Sequence, residues 1–389
     1  MRPLNPTTVS SSLLSAINLL AEKEGIRQDN IGQAVAELSR IFTKQRTSLS
    51  RSYLDDPAYA AAYLKYFLLV NLFKIQVLLD EMPPVASTER FSVLDLGSGP
   101  GTGALAVLDW WYRHKRAGVL SIVAVDHTAT VLRQAEHLWQ QYCQGTGITT
   151  AKLWTYEADV ERSGCLERIR THASFDLIIL SNCLNELSGS IDARADLVAS
   201  ALVQLAPHGT VMIVEPALRE TSRALHHVRD RLLQGKRCTV YSPCLHESGC
   251  PALVNPDDWC HEERAWEPPA IIQTIDKEVG FIKDALKFSY LLLRKDGKTI
   301  VERRPDVFRV VSELRELKGE KRAWLCNELG REEVGRQDRL ASPQNDAFDR
   351  CHRGAIVQIE RIVRKEKNGK VSALGRIEPD VSVQIIRSA

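Results

Sequence analysis

The sequence predicts an α/β fold. A parallel sheet is preceded by a helical region and followed by a Cys-rich insert and a small C-terminal β module. Three observations predict it. Residues 91–220 alternate short apolar runs with helical patterns. A glycine-rich loop, Asp95 to Gly103, follows the first apolar run and opens a helix. The tail from about Gly354 alternates apolar and polar residues around Asn368-Gly369, a two-residue hairpin signal.

The elements follow in order. Residues 1–84 read as helical, since Leu13, Leu14, Ile17 and Leu20 recur at helical spacing, as do Val35, Leu38, Ile41 and Phe42. Asp55-Asp56-Pro57 reads as an N-cap with Pro near the first helical position. It predicts a long helix from Ala58 to about Leu79, ended by Pro83-Pro84. Lys65 and Lys74 interrupt its apolar stretch, so it reads as a buried helix; a membrane span needs roughly 20 apolar residues with few charges.

Residues 85–222 hold the predicted strands 92–96, 121–126, 153–156, 175–180 and 210–214. They are almost continuously apolar, as strands covered on both faces are. Residues 223–345 are Cys-rich. Cys238 to Pro269 lacks periodicity, and a structureless loop of that length inside a domain needs something other than apolar packing to order it. Residues 346–389 form the β module, with Val381, Val383 and Ile385 alternating with polar residues.

A chain of 389 residues with 44% hydrophobic and 26% charged residues is an ordinary globular protein. That composition excludes collagen-like, disordered and membrane classes. Nine cysteines, an odd number, with no signal peptide before them favour a reducing compartment. Residues 1–21 carry no acid and one Arg, which leaves a mitochondrial presequence open. The chain is therefore expected in the cytoplasm if bacterial and in the mitochondrial matrix if eukaryotic. The net charge of +2 hides an asymmetry: residues 1–218 carry 19 basic and 22 acidic side chains, and residues 219–389 carry 32 and 27. Basic runs are commonly solvated faces; they also supply phosphate contacts in nucleic-acid binding.

The loop Asp95-Leu-Gly97-Ser98-Gly99-Pro-Gly101-Thr102-Gly103 departs from the dinucleotide fingerprint, which needs Gly at 102 when counted from Gly97. An acid at the strand end followed by alternating glycines resembles motif I of the class I S-adenosylmethionine (SAM)-dependent methyltransferases, a Rossmann-like fold. The resemblance implies that Asp95, Gly97, Ser98, Gly99, Gly101 and Thr102 bind the cofactor. Asp126 ends the second strand, where a carboxylate accepts hydrogen bonds from ribose hydroxyls. Asp159, after the third strand, stands where that family contacts adenine, and Ser181 ends the fourth. A lone acid at a strand end is equally a solvated residue; the glycine loop and Asp126 together are the stronger signal.

After the fourth strand stands Ser181-Asn182-Cys183-Leu-Asn185-Glu186-Leu187. It lacks the Asp/Asn-Pro-Pro-aromatic turn of amino methyltransferases and the Pro-Cys pair of the RNA cytosine-C5 enzymes. Asn182, Asn185 and Glu186 are candidates to orient a substrate, and equally to cap the next helix. Cofactor binding is thus better supported than turnover.

Cys244, Cys250 and Cys260 are spaced Cys-x5-Cys-x9-Cys. Three thiols in one loop suit a metal or cluster, whose ligation energy becomes folding energy. Zinc sites mostly carry tight Cys pairs, so an iron–sulfur cluster with a remote fourth ligand fits at least as well. Cys326, Cys351, Cys238, His246 and His261 are the candidates for that ligand. Tyr241-Ser-Pro-Cys244-Leu-His246 to Cys250-Pro251, then Trp259-Cys260-His261, follow a methyltransferase-like sequence with Arg229-Asp-Arg231 before them. This run resembles the mitochondrial small-ribosomal-subunit assembly family of methyltransferase-like proteins and its bacterial relatives. The resemblance covers roughly residues 50–389. It implies a [4Fe–4S] cluster on Cys244, Cys250, Cys260 and a downstream cysteine, for which Cys326 is preferred over Cys351. It also implies small-subunit rRNA as partner.

The expected function is a SAM-binding, methyltransferase-like factor of small-subunit assembly, with Arg229, Arg231, Lys236 and Arg237 facing phosphate, no membrane partner, and a monomeric chain. Two alternatives stand beside it. One is a small-molecule SAM-dependent methyltransferase with a structural zinc. The other is an rRNA-binding factor without turnover.

Overall fold

The computed structural model describes residues 9–23, 31–45, 53–85, 89–162, 164–169, 174–282, 284–367 and 369–388. Residues 1–8 of the presequence reading (residues 1–21) and Asn368 lie outside the described residues. The chain divides into two units: residues 1–218 with 265–286, and residues 219–264 with 287–389.

The first unit begins with α1 (Ser11–Lys23), α2 (Ile31–Lys44), α3 (Pro57–Ala62) and α4 (Leu68–Glu81). Asp56 caps α3: its carboxylate accepts from the backbone N–H of Ala58 and Tyr59, and Pro57 takes the first turn. No break separates α3 from α4. A π-helical turn, Tyr63–Phe67, joins them into one run, Pro57–Glu81. That run is long and apolar enough to cross a membrane by length and composition, yet 83% of its most apolar window is buried inside the protein, which makes it a core helix. Asp56→Ala is expected to cost about 1 kcal/mol, the usual value of an N-cap. Denaturant unfolding checks it, and an unchanged midpoint would show that the cap contributes nothing.

Strands and helices then alternate: β1 (Arg90–Leu96), α5 (Thr102–Arg113), β2 (Val119–Asp126), α6 (Ala129–Thr146), β3 (Ala151–Glu157), α7 (Cys165–Arg168), β4 (Phe175–Ser181), α8 (Ile191–Gln204) and β5 (Leu205–Pro216). The strands pair in parallel in the order β3-β2-β1-β4-β5. β1 and β2 are buried at every position but the first, as the apolar pattern requires, and only the edge strand β3 alternates with exposed positions. The order runs outward from β1 to β3 and then jumps back to β4. Loops leaving β1 and β4 therefore diverge, which opens a crevice at their carboxyl ends. Asp109, 1% exposed, ties the helices together. It accepts from the Gln76 amide at 2.7 Å, the Tyr142 hydroxyl at 2.8 Å and Arg113 at 2.8 Å, so its buried charge is paired.

The second unit opens with α9 (Arg219–Gln234), β6 (Thr239–Ser242) and β7 (Glu262–Ala265); α10 (Ala270–Val279) belongs to the first unit. Next come β8 (Ala285–Arg294), antiparallel to β6, and then β9 (Val307–Val310), β10 (Arg315–Leu317), β11 (Glu320–Asn327), β12 (Gly330–Gln337), β13 (Ile356–Ile359), β14 (Val363–Lys367), β15 (Lys370–Arg376) and β16 (Val383–Arg387). The stretch Cys238 to Pro269 is not structureless: it holds β6, β7 and a 3-10 turn at Pro251–Leu253. A polar side chain orders it in place of an apolar core. Arg223 on α9 donates to the carbonyls of Ala252, Leu253, Asn255 and Asp258.

β9 to β16 form one sheet in the order β14-β15-β12-β11-β9-β13-β16, with β10 beside β11. Phe308, Leu325, Val334, Phe348, Val357 and Ile377 fill its core. The strands start at Val307, well before the alternating tail. Charged residues in β11 and β12, such as Arg322 and Glu333, pair with one another and blur the apolar alternation that marks a strand.

Candidate functional site

β1 ends at Leu96, and Gly97 turns the chain at φ 66°. A side chain at 97 would be strained there, and its Cβ would lie 2.7 Å from the Cys183 sulfur on the loop after β4. The two loops of the switch point thus touch at Gly97. Behind the loop, Asp95 is 1% exposed and accepts from the Ala104 N–H at 2.9 Å, which holds the first turn of α5. Burial pushes its carboxyl up to about 7, against the pull of the Ala104 and Gly103 N–H groups. Between its ordinary value near 4 and that point, the folded chain keeps a proton the unfolded chain has released. Stability is therefore lost as pH rises through that window. Asp95→Asn keeps an acceptor and has no charge. Its melting temperature is expected to stay flat from pH 4 to 8 where that of the wild type falls by comparison; parallel curves would refute this.

Asp126 stands at the end of β2. Its carboxylate accepts from the Gly99 N–H at 2.9 Å and the Thr128 N–H at 3.0 Å, so it clamps the glycine loop to the start of α6. Oδ1 also faces the His127 ring nitrogen at 3.3 Å, and Oδ2 keeps a second lone pair for a ligand. Asp159 accepts from Glu161 N at 3.0 Å and lines the same cleft. Asn182 adopts φ 53°, a conformation that Asn tolerates better than most residues, and its N–H donates to the Val214 carbonyl at 2.7 Å. Leu184 N donates to the buried Glu215 at 3.0 Å, which fixes the turn after β4.

Of the predicted cofactor residues, Gly97, Gly99, Asp126, Asp159 and Ser181 line the cleft, and so do Asn182 and Glu186. Asp95, Ser98, Gly101, Thr102 and Asn185 do not; they build the loops behind it. Sequence reasoning missed Tyr53 and Tyr63, which also line the cleft, with ring centroids 6.5 Å apart. Burial raises both phenols, Tyr63 to about 12, and the charges of Glu186 and Asp126 add to this, so both stay neutral hydrogen-bond donors. Tyr63 starts the π-helical turn, a distortion frequent at functional sites. Nothing in the local sequence marks that turn; the one available signal is a pair of tyrosines flanking the Asp56-Pro57 cap.

The second unit gathers four thiols. Burial raises Cys250 and Cys326, and neighbouring thiols add to it: Cys244 and Cys260 at Cys250, and Cys244, Cys260 and Cys250 at Cys326. Cys260 rises to about 11 through burial and then Cys244. Each group lies within electrostatic reach of the others. Among the alternatives for the fourth position, Cys351 is packed in the β-module core with its sulfur on the Ala347 carbonyl. Cys238, pushed to about 12 by burial, has Glu247 and Arg229 as charged neighbours and no thiol. His246 points Nε2 at the Cys326 sulfur, 3.7 Å away, and His261 stacks on Trp259. Among the described residues, no group of three or more His, Cys, Asp or Glu side chains could hold a metal ion.

Arg229 departs from the expectation that it faces phosphate. It is 0% exposed and donates to Asp230, to Ser248 O at 2.9 Å and to His246 O at 2.6 Å. Its guanidinium also lies within electrostatic reach of Cys244 and Cys250. It serves the cysteine loop because a buried guanidinium needs carbonyl and carboxylate partners, and that loop supplies them. Arg231, Lys236 and Arg237 are exposed.

No curated protein matches the chain. Solved structures do. Magnesium protoporphyrin IX methyltransferase from Synechocystis PCC 6803, solved with bound SAM, is 8% identical, with a TM-score of 0.36 over 74% of this chain and 100% of that one. A SAM-dependent methyltransferase from Leishmania major is 11% identical, with a TM-score of 0.36 over 72% and 91%. The fold assignment rests on this chain's own strand order and switch-point cleft, which are those of a class I methyltransferase-like domain. The family described as mitochondrial small ribosomal subunit Rsm22 matches residues 58–336, a span that takes in the π-helical turn, the cleft and all four gathered cysteines, and the chain belongs to that family.

Proposed function

We propose that the chain binds SAM in the switch-point cleft and works on small-subunit rRNA during ribosome assembly, in the bacterial cytoplasm or the mitochondrial matrix. The observation that carries the cofactor reading is the convergence of the Gly99 N–H and the Asp126 carboxylate, 2.9 Å apart, at the mouth of a cleft between β1 and β4. Asp126 accepts from the ribose hydroxyls, the Gly97–Gly99 backbone borders the methionine half, and Asp159 borders adenine. The cofactor supplies an electrophilic methyl group. Asn182 and Glu186 line the cleft at the end of β4 and orient the acceptor, and the neutral phenols of Tyr53 and Tyr63 donate into the cleft while excluding water. The membership just described supports the ribosomal partner.

Cys244, Cys250, Cys260 and Cys326 hold a [4Fe–4S] cluster in this reading, supported by their mutual proximity and by Arg229, a buried positive charge beside thiolates. Anaerobic purification tests the whole proposal. Visible absorbance near the iron–sulfur region, about four irons per chain, calorimetric SAM binding and co-purified small-subunit rRNA are expected. A colourless protein with one zinc would remove the cluster, and absent SAM binding would remove the cofactor. Methylated rRNA that depends on the chain would establish turnover.

A further inference from the structure

The registers of the C-terminal sheet follow a Greek-key path that ends on β14 and β16, and it returns on itself when β13 and β14, neighbours in the chain, are taken as one strand. β9, β11 and β12 form an antiparallel meander. β12 pairs in parallel with β15, and β15 is antiparallel to β14. β13 is antiparallel to β9. β13 and β14 are separated by only three residues, Glu360 to Ile362, and act as two halves of one bent strand. Numbered as five strands, this is 1-2-3-5-4 with strand 4 returning to strand 1 and strands 3 and 5 parallel. Short 3-10 turns at Asp338–Leu340 and Asp346–Arg350 take the place of the element between strands 3 and 4, and Phe348 from the second is 0% exposed in the core. That is the topology of the OB-fold, whose strand 2–3 face and flanking loops bind oligonucleotides or oligosaccharides.

Charge decides between those two ligands. The loop between strands 1 and 2 presents Leu317, 43% exposed, next to exposed Lys318. The hairpin between strands 4 and 5 presents exposed Lys365 and Lys370 with Val371, 62% exposed. Among the described residues these three lysines have no acidic partner, whereas Arg322, Arg364 and Arg376 in the same sheet are paired with Glu320 or Glu332. Glu320 pairs with Gln337 at one end of β12. The β12–β15 register, Val334 with Gly375, carries Lys370 level with residue 329 at the other end. The two lysine sites are thus about 26 Å apart along the strand, at roughly 3.3 Å per residue. Between them Trp324 lies half-buried under the Arg331 guanidinium, 5.1 Å from its ring centroid. The cysteine loop covers the middle of this face, where Cys326 lies 3.7 Å from His246 and Arg331 pairs with Asp258, and the lysine-bearing ends are left exposed.

We propose that this barrel is a single-stranded RNA clamp. Lys318 on one side and Lys365 and Lys370 on the other grip the backbone, and exposed Leu317 and Val371 meet unstacked bases. Separated cations beside exposed apolar side chains suit a flexible strand, since an A-form duplex offers its bases no route to such side chains. This deepens the rRNA reading above and rests on it.

The test uses the full chain and a labelled single-stranded RNA of mixed sequence, about 16 nucleotides, the upper end of an OB-fold site. A hairpin duplex of equal length is the comparison, and both are read by anisotropy at two salt concentrations. The wild type should bind the single strand tighter, with affinity falling as salt rises. Lys318→Glu combined with Lys365→Glu and Lys370→Glu should lose tenfold or more for the single strand, with a shallower salt slope, and should keep SAM binding and melting temperature. Undiminished binding by that variant overturns the clamp and leaves the rRNA reading standing. Preference for the duplex, or for heparin over RNA, also overturns it. A wild type that binds no RNA at either salt overturns both.

Discussion

Gly97→Ala is expected to weaken SAM binding by roughly thirtyfold or more. Two costs add at this position. An L-residue held at φ 66° costs about 1–2 kcal/mol. The new methyl group would sit 2.7 Å from the Cys183 sulfur, and overpacking of that kind costs about 1–3 kcal/mol. The loop can escape the clash only by leaving the Asp126 clamp, so the cofactor must restore the strained geometry when it binds, and each 1.4 kcal/mol of that is tenfold. Gly99→Ala isolates the first cost, because its φ is 51° and nothing lies within 4 Å of its Cβ. A loss of about five- to thirtyfold is expected there. Gly97→Ala with Cys183→Ala should recover about fivefold or more of the affinity, since the nearest atom left is a Cβ at 3.1 Å. Calorimetry of the four proteins decides it. A double variant no better than Gly97→Ala would show that the Cys183 contact is not the cause.

Serine at Cys326 should be as severe in the other unit. Cys326 is on β11, and Cys244, Cys250 and Cys260 are on the loop ordered by Arg223. In the proposed cluster reading, loss of one ligand leaves three thiols without their metal, a change of more than about 4 kcal/mol. For a unit of about 150 residues that is on the order of 8–16 °C in melting temperature. The Cys326→Ser protein should be pale and iron-poor, and the same holds for Cys244→Ser. Cys351→Ala should keep both colour and iron, because its sulfur lies in the barrel core. Iron content that falls with Cys351 and not with Cys326 would reverse the ligand assignment.

The parts that were legible share one property: their physics is local. The five parallel strands show as apolar runs because both faces are covered, and the Asp56-Pro57 cap works through its own next residues. Gly97 and Asp126 were visible because motifs at strand ends carry their own geometry. The C-terminal sheet was only partly legible. Its tail alternates, but β11 and β12 carry charges satisfied across strands, and its closure depends on a bend in one strand at Glu360–Ile362. Tyr53 and Tyr63 reach the cleft through a π-helical turn that no spacing rule announces.

By itself the sequence determined the fold class, the strand-end loop that lines the cleft and the set of cysteines from which a centre could be built. Periodicity, glycine placement and residue type suffice for each of these. Only the tertiary structure decided that Cys326 lies within electrostatic reach of the other three while Cys351 is packed away, that Arg229 turns inward to the cysteine loop, and that the C-terminal strands join one sheet. Those outcomes depend on which distant segments share a neighbourhood, and burial and hydrogen-bond satisfaction settle that only once the whole chain has packed.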